Sequence, residues 1–232
     1  MGFFEDAFTE ASDTTLASHT PDVGTGYTLA WQDGSNPTFT VIAASDTLKG
    51  VSANNSGAIY TADATYPSAD YEVEFTYIDA AGFDTRPFYV GVRLADIDNM
   101  YGVRISGLTT GTNAQLYKKV AGTWEALGTA VLIAKGSVVK VQIIGSALKL
   151  FDDTVEVDSV TDGDLTAAGK AWLGSGGGAE LVESTDDANS VSEIDEFSVT
   201  DLGGGGGGDP EGPMVGGKLV GGGLLIKGRL VG

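Results

Sequence analysis

Alternation constrains this chain more than any other feature. Over most of residues 1–202, apolar side chains recur at every second position in short runs broken by Gly, Asp, Asn and Pro. A period of two belongs to an extended strand with one face buried and the other in water; a helix would repeat near 3.6. In DYEVEFTYID, Tyr71, Val73, Phe75 and Tyr77 share one face, while Glu72, Glu74 and Thr76 share the other. The same pattern predicts a hairpin in RPFYVGVRLADIDNMYGVRIS, with Phe88, Val90, Val92 and Leu94 on one face, a turn at DIDN, and then Tyr101, Val103 and Ile105. A second hairpin is predicted around Ala121-Gly122. In SVVKVQIIGSALKLFDDTVEVDSV, turns near Gly145 and at DDT follow the alternating Val139, Val141 and Ile143. KAWLGSG and EIDEFSVTDL add two strands, the last with Phe197 and Val199 inward, and DAFT, YTLAW and PTFTVI are shorter candidates. Many short strands with closely spaced turns predict an all-β chain, a sandwich or jelly roll.

Composition narrows what can hold such a fold together and what it can bind. With no cysteine, neither a disulfide framework nor a thiolate metal site is possible, so the hydrophobic core carries the fold. All 32 acidic residues precede Met214 together with ten of the 13 Lys and Arg, giving that part a formal −22. So acidic a body opposes nucleic-acid binding, which relies on clustered cations. MGFFEDAFTEASDTT has acids where an export signal would carry basic residues, and Asp6 stands where myristoylation wants Ser or Thr. The apolar runs TAVLIAKG and GLLIKGRLVG fall short of the ~20 residues that cross a bilayer.

The alternation ends at residue 202. Six consecutive glycines, 203–208, have no side chains to bury, so 203–213 is read as a linker. Residues 214–232 carry three cations and no acid, and GKLVG (217–221) returns as GRLVG (228–232). Met214, Val215, Leu219, Val220, Leu224, Leu225, Ile226, Leu230 and Val231 make this Gly-rich tail the expected assembly anchor.

The stretch EDAFTEASDTTLASHTPDVGTGYTLAW, followed by YPSADYEVEFTY, FYVGVRLADIDNMYGVRIS, AQLYKKVAGTWEALG and EIDEFSV, resembles concanavalin A-like lectin/glucanase domains, also called laminin G-like, of the kind found in bacteriophage structural proteins. The resemblance covers roughly residues 5–202. It implies a two-sheet antiparallel jelly-roll sandwich whose first strand, around Phe8, pairs with its last, around Phe197. It also implies a lectin-like or structural role more often than catalysis.

Four constellations could carry chemistry. His19 in SHTPDVG is the single histidine, so no multi-histidine metal site can form within the chain, and the residue is expected to close a loop. EIDEF matches the first two acids of the Glu-x-Asp-x-Glu strand of laminarinase-type glucanases with Glu193 and Asp195, but Phe197 stands where a second catalytic carboxylate would be. Calcium is the one cofactor with candidate ligands. They are Asp96, Asp98 and Asn99 in ADIDNM, and Glu183, Asp186, Asp187 and Asn189 in ESTDDANS; neither loop follows the EF-hand order, and both read first as turns. For glycan binding, Tyr89, Arg93 and Arg104 fall opposite the apolar faces of the 86–106 hairpin, and Tyr117, Trp124 and Trp172 could join them or fill the core instead. GSGGGAE (174–180) lacks the Lys and Ser or Thr of a phosphate loop and reads as a turn.

The leading expectation is therefore a non-enzymatic virion protein of a tailed phage, assembled in the host cytoplasm. It would display a lectin-like domain, self-associate symmetrically, for example as a trimer, and contact other virion proteins and host surface glycans, the former through the tail. The alternatives are a bacterial surface glycan-binding module and, further off, a diverged glycoside hydrolase.

Overall fold

The computed structural model describes residues 2–33, 38–52, 57–78, 87–108, 111–176, 181 and 190–203. The tail residues Met214 to Val231 named above, and Glu183, Asp186, Asp187 and Asn189, lie outside them.

The described chain is all-β. In order it forms β1 (Gly2–Asp6), β2 (Thr14–Thr15), β3 (Gly26–Asp33), β4 (Thr38–Ile42), β5 (Thr47–Ser52), β6 (Gly57–Asp63), β7 (Tyr71–Ile78) and β8 (Phe88–Asp96). There follow β9 (Asn99–Leu108), β10 (Gly111–Val120), β11 (Thr123–Ile133), β12 (Val138–Ile144), β13 (Ala147–Asp152), β14 (Val155–Thr161), β15 (Lys170–Gly176) and β16 (Ser190–Asp201). Two antiparallel sheets result. One runs β14-β13-β12-β7-β16-β5-β4-β2, with β1 also on β16; the other runs β11-β10-β9-β8-β15-β6-β3. Their strands interleave in sequence, as a jelly roll requires.

The main core lies between the sheets. It takes Tyr71, Val73, Phe75, Val139, Val141, Ile143, Ile194, Phe197 and Val199 from one, and Phe88, Val90, Val92, Tyr101, Val103, Ile105 and Leu173 from the other. Apart from Ile194, these are positions at which the alternation places apolar residues. The expected turns also form. Ala121 and Gly122 both have positive φ, the backbone that a tight hairpin needs to match strand twist, and Asp153 and Gly145 do the same in the next two turns.

Three expectations shift. The first and last strands do pair, but through Phe4↔Val199, Glu5↔Ser198 and Asp6↔Phe197, so the strand precedes Phe8. Phe8 sits beyond it with φ 50°, its ring fully buried, and DAFT is not a strand. In β8 a bulge between Val92 and Asp96 breaks the alternation, and Leu94 joins a second apolar cluster instead of the main core. In β16 a bulge between Asp195 and Ser198, with Glu196 at φ 54°, inserts an extra residue so that Ile194 and Phe197 both point inward.

Candidate functional site

The second cluster sits on the outer face of the seven-stranded sheet, the side away from the main core. Ile59, Tyr89, Leu94, Met100, Trp172 and Leu181 are buried there, with Ala30, Trp31 and Trp124 packed against them. A sheet face turned to water would ordinarily be polar, so this one calls for an explanation.

Register builds it. Trp172 pairs with Gly91, Gly91 with Gly102, and Gly102 with Tyr117, so two glycines separate the two aromatic residues along one row. The indole of Trp172 lies over both glycines: a Cβ at Gly102 would come within 2.7 Å of its Cζ2, and one at Gly91 would overlap the ring outright. Its Nε1 donates to the carbonyl of Tyr101 at 2.9 Å, which satisfies its one polar atom. In the next row Gly174 pairs with Tyr89, Tyr89 with Arg104, and Arg104 with Gln115. Tyr89 stacks on Trp172 with centroids 6.3 Å apart and planes 23° apart, and meets Trp124 at 6.2 Å on its other side. Tyr117 contacts Trp124 edge-on at 6.3 Å. The result is a continuous ladder, Trp172–Tyr89–Trp124–Tyr117.

Its inner members form the floor and its outer members the surface. Trp172 and Tyr89 are buried, whereas Trp124, Tyr117, Trp31 and Arg104 are half-buried and retain accessible area. Lys119 is sealed beneath, donating to the carbonyl of Ile97 at 2.8 Å with its ammonium 5.7 Å from the Trp124 ring. Rings fixed from below by a cation and a stacked neighbour, with part of their area accessible, suit a flat apolar ligand face.

The sequence-predicted residues are thus divided. Tyr89, Arg104 and Trp124 are brought together; Arg93 is not. With φ 52° in the β8 bulge, Arg93 turns away from the outer face and is 1 % exposed. Its guanidinium donates to the carbonyls of Ala69, Gly145 and Leu165 at 2.8–2.9 Å and to Asp70 at 3.1 Å. It is a clamp at one end of the sandwich, without a ligand-facing edge. Trp31, Ile59, Met100 and Leu181 were not anticipated as part of this face. The available signal was glycine inside strands, at Gly91 and Gly102, which marks close approach of another group.

The other candidates lie elsewhere. Asp96 accepts from the backbone N–H of Asp98 and from Asn99 Nδ2, while Asn99 Oδ1 accepts from Ala121 N–H, so these oxygens close the turn. Among the described residues no group of three or more His, Asp or Glu is placed to hold a metal. Glu193 and Asp195 lie on the outer face of the nine-stranded sheet, the far side of the sandwich from the aromatic ladder. Lys49 approaches Glu193 at 3.9 Å. Burial raises the carboxyl pKa of Asp195, partly offset by a hydrogen bond from Glu196 N–H. Phe197, where a second catalytic acid would be, is buried in the core.

His19 does more than close a loop on backbone. It is buried between two carboxylates, with Nε2 2.8 Å from Asp6 Oδ1 and Nδ1 2.8 Å from Glu10 Oε1. Burial lowers its pKa, but the hydrogen bonds and charges of Asp6 and Glu10 outweigh this and leave it raised. Tyr27 donates to the same Asp6 at 2.8 Å, and burial, together with that carboxylate, pushes its phenol well above the usual value. The cluster ties the N-terminal segment to β3, and its two carboxylates favour the protonated imidazole.

No family model matches the sequence, and no curated protein does. Solved structures do match. The carbohydrate-binding module CBM66 from Bacillus subtilis is 15 % identical with a TM-score of 0.55, covering 77 % of this chain and 97 % of that one. A Bacillus licheniformis β-glucanase is 14 % identical with a TM-score of 0.53, covering 87 % and 99 %. Rv0315 of Mycobacterium tuberculosis, described as a pseudo β-1,3-glucanase, is 12 % identical with a TM-score of 0.53, covering 86 % and 98 %. At these identities the likeness speaks to fold alone: this chain shares the two-sheet antiparallel jelly-roll sandwich of these structures.

Proposed function

We propose that the chain is a glycan-binding module that holds its ligand on the outer face of the seven-stranded sheet without cleaving it. The observation that carries this reading is the half-buried Trp124 and Tyr117, fixed above the buried Tyr89 and Trp172. A sugar ring presents a flat C–H face, and rigid aromatic rings bind such a face at little entropic cost because their rotamers are already locked. Likeness to a carbohydrate-binding module, 97 % of which is covered, supports it. The non-catalytic half of the proposal rests on the separation of the acids from the ladder: Glu193 and Asp195 project from the opposite sheet, and Phe197 replaces the second carboxylate. Retaining hydrolysis needs two carboxyl groups about 5–5.5 Å apart across one scissile bond.

A virion role, with the Gly-rich tail as anchor and self-association through it, draws support from the sequence resemblance. The structural likenesses reported above support the glycan reading. A glycan array probed with the purified chain tests the proposal. Trp124→Ala and Tyr117→Ala should each weaken the bound signal about tenfold or more while thermal melting stays near that of the parent. Retained binding in both variants would reject this face as the site.

A further inference from the structure

The geometry points to a carboxylated sugar as the ligand's defining feature, with Arg104 as its receptor; this rests on the glycan reading above and names the substrate class. Arg104 stands on β9 between Tyr89 on one side and Gln115 on the other, within the aromatic face. Its Nε is sealed from solvent and has no hydrogen-bond partner among the described residues. The two Nη groups remain in contact with solvent on a half-buried side chain. Among the described residues no carboxylate lies within 4.0 Å of this guanidinium, although the chain has 32 acids to 13 Lys and Arg. Arg93 behaves in the opposite way, with every donor group engaged. An arginine left unpaired in so acidic a protein, half-buried beside stacked aromatics, is poised for an acceptor supplied from outside. A planar guanidinium matches a carboxylate through two parallel N–H···O bonds.

Charge also sets how densely the ligand can carry acids. The formal −22 before Met214 repels a polyanion, and at physiological salt screening takes hold only over about 8 Å. One arginine among aromatics therefore fits a chain in which an occasional uronic acid is flanked by neutral sugars, better than a homopolymer of uronic acids. On the opposite face the lining is largely acidic. The cleft of about 430 Å³ there is lined by Glu5, Asp6, Asp22, Glu74 and Glu196.

Calorimetry on the full chain tests this with heteropolysaccharide fragments in which glucuronate alternates with an N-acetylhexosamine. Each is compared with its carboxyl-reduced form, and polygalacturonate serves as the homopolymer. The parent should bind the carboxylated fragment at least tenfold more tightly than the reduced one. Arg104→Gln should erase that difference, while Trp124→Ala weakens binding of both forms. Polygalacturonate should bind more weakly than the alternating fragment and should gain affinity as salt rises from about 20 to about 150 mM, because salt screens the body's repulsion. Equal affinity for carboxylated and reduced fragments, or a preference surviving in Arg104→Gln, would overturn the acid specificity while leaving the aromatic face intact. Binding of no fragment in either form would overturn it together with the glycan reading.

Discussion

The indole of Trp172 occupies the space that a side chain at position 91 would fill, and its Nε1 donates to the carbonyl of Tyr101 across the same strand pair. Gly91 and Gly102 are thus a flat bed for one ring. The two glycines differ in what lies closest. A Cβ at 102 meets the ring first, with Val90 O at 3.1 Å, whereas one at 91 also overlaps the backbone carbonyl of Tyr101. Gly102→Ala should cost about 1–3 kcal/mol by overpacking. In a Trp172→Leu background that cost should fall below about 1 kcal/mol, a coupling that a double-mutant cycle in urea reads directly. Gly91→Ala should not be rescued by Trp172→Leu, since a carbonyl cannot move aside as a side chain can.

Arg93 holds together segments distant in sequence, at Ala69, Asp70, Gly145 and Leu165. Arg93→Met should destabilise the fold by about 3–5 kcal/mol, because it leaves Asp70 and three carbonyls without their donor. Arg93→Lys should recover little of this, as one ammonium cannot reach acceptors spread around a planar fork. Denaturant unfolding of the variants measures both effects. A loss under 1 kcal/mol in Arg93→Met would show that the clamp is dispensable.

The His19 site makes stability depend on pH in a defined direction. Its pKa is raised in the folded state, so the protonated imidazole between Asp6 and Glu10 contributes fully below the unfolded value near 6.5 and fades as pH rises through the folded value. Between pH 6 and pH 9 the melting temperature should therefore fall, and His19→Gln should flatten that fall. A parent whose Tm is level or rising over this range would contradict the assignment of a shared cation.

Glu193→Gln combined with Asp195→Asn provides the test of the non-catalytic reading. The double variant should bind glycans as the parent does, and neither protein should release reducing ends from laminarin. Hydrolysis by the parent that the double variant lacks would restore these acids to an active site despite their position behind the ladder.

Much of the fold was legible because alternation and turn chemistry act locally. The Ala121-Gly122 hairpin follows from residues that tolerate positive φ, and the inward set Tyr71, Val73, Phe75 and Tyr77 follows from a strict period of two. Legibility failed where a bulge adds a residue. Arg93 and Leu94 were assigned faces by counting, and an insertion between Val92 and Asp96 reversed both. GAIYTAD in β6 is buried along almost its whole length, so it lacks the contrast between faces that marks a strand from sequence.

The sequence by itself determined an acidic, cysteine-free, all-β chain with an apolar stripe on each long strand, because side-chain direction along a strand is a property of the backbone alone. Only the tertiary structure decided which strands lie side by side. That step placed Trp172, Tyr89, Trp124 and Tyr117, from four different strands, into one ladder and left Arg104 beside it without a partner among the described residues. The same step moved Glu193 and Asp195 to the far side of the sandwich. Register between strands far apart in sequence depends on how bulges and glycines let side chains pack across the sheet, and no local pattern encodes that.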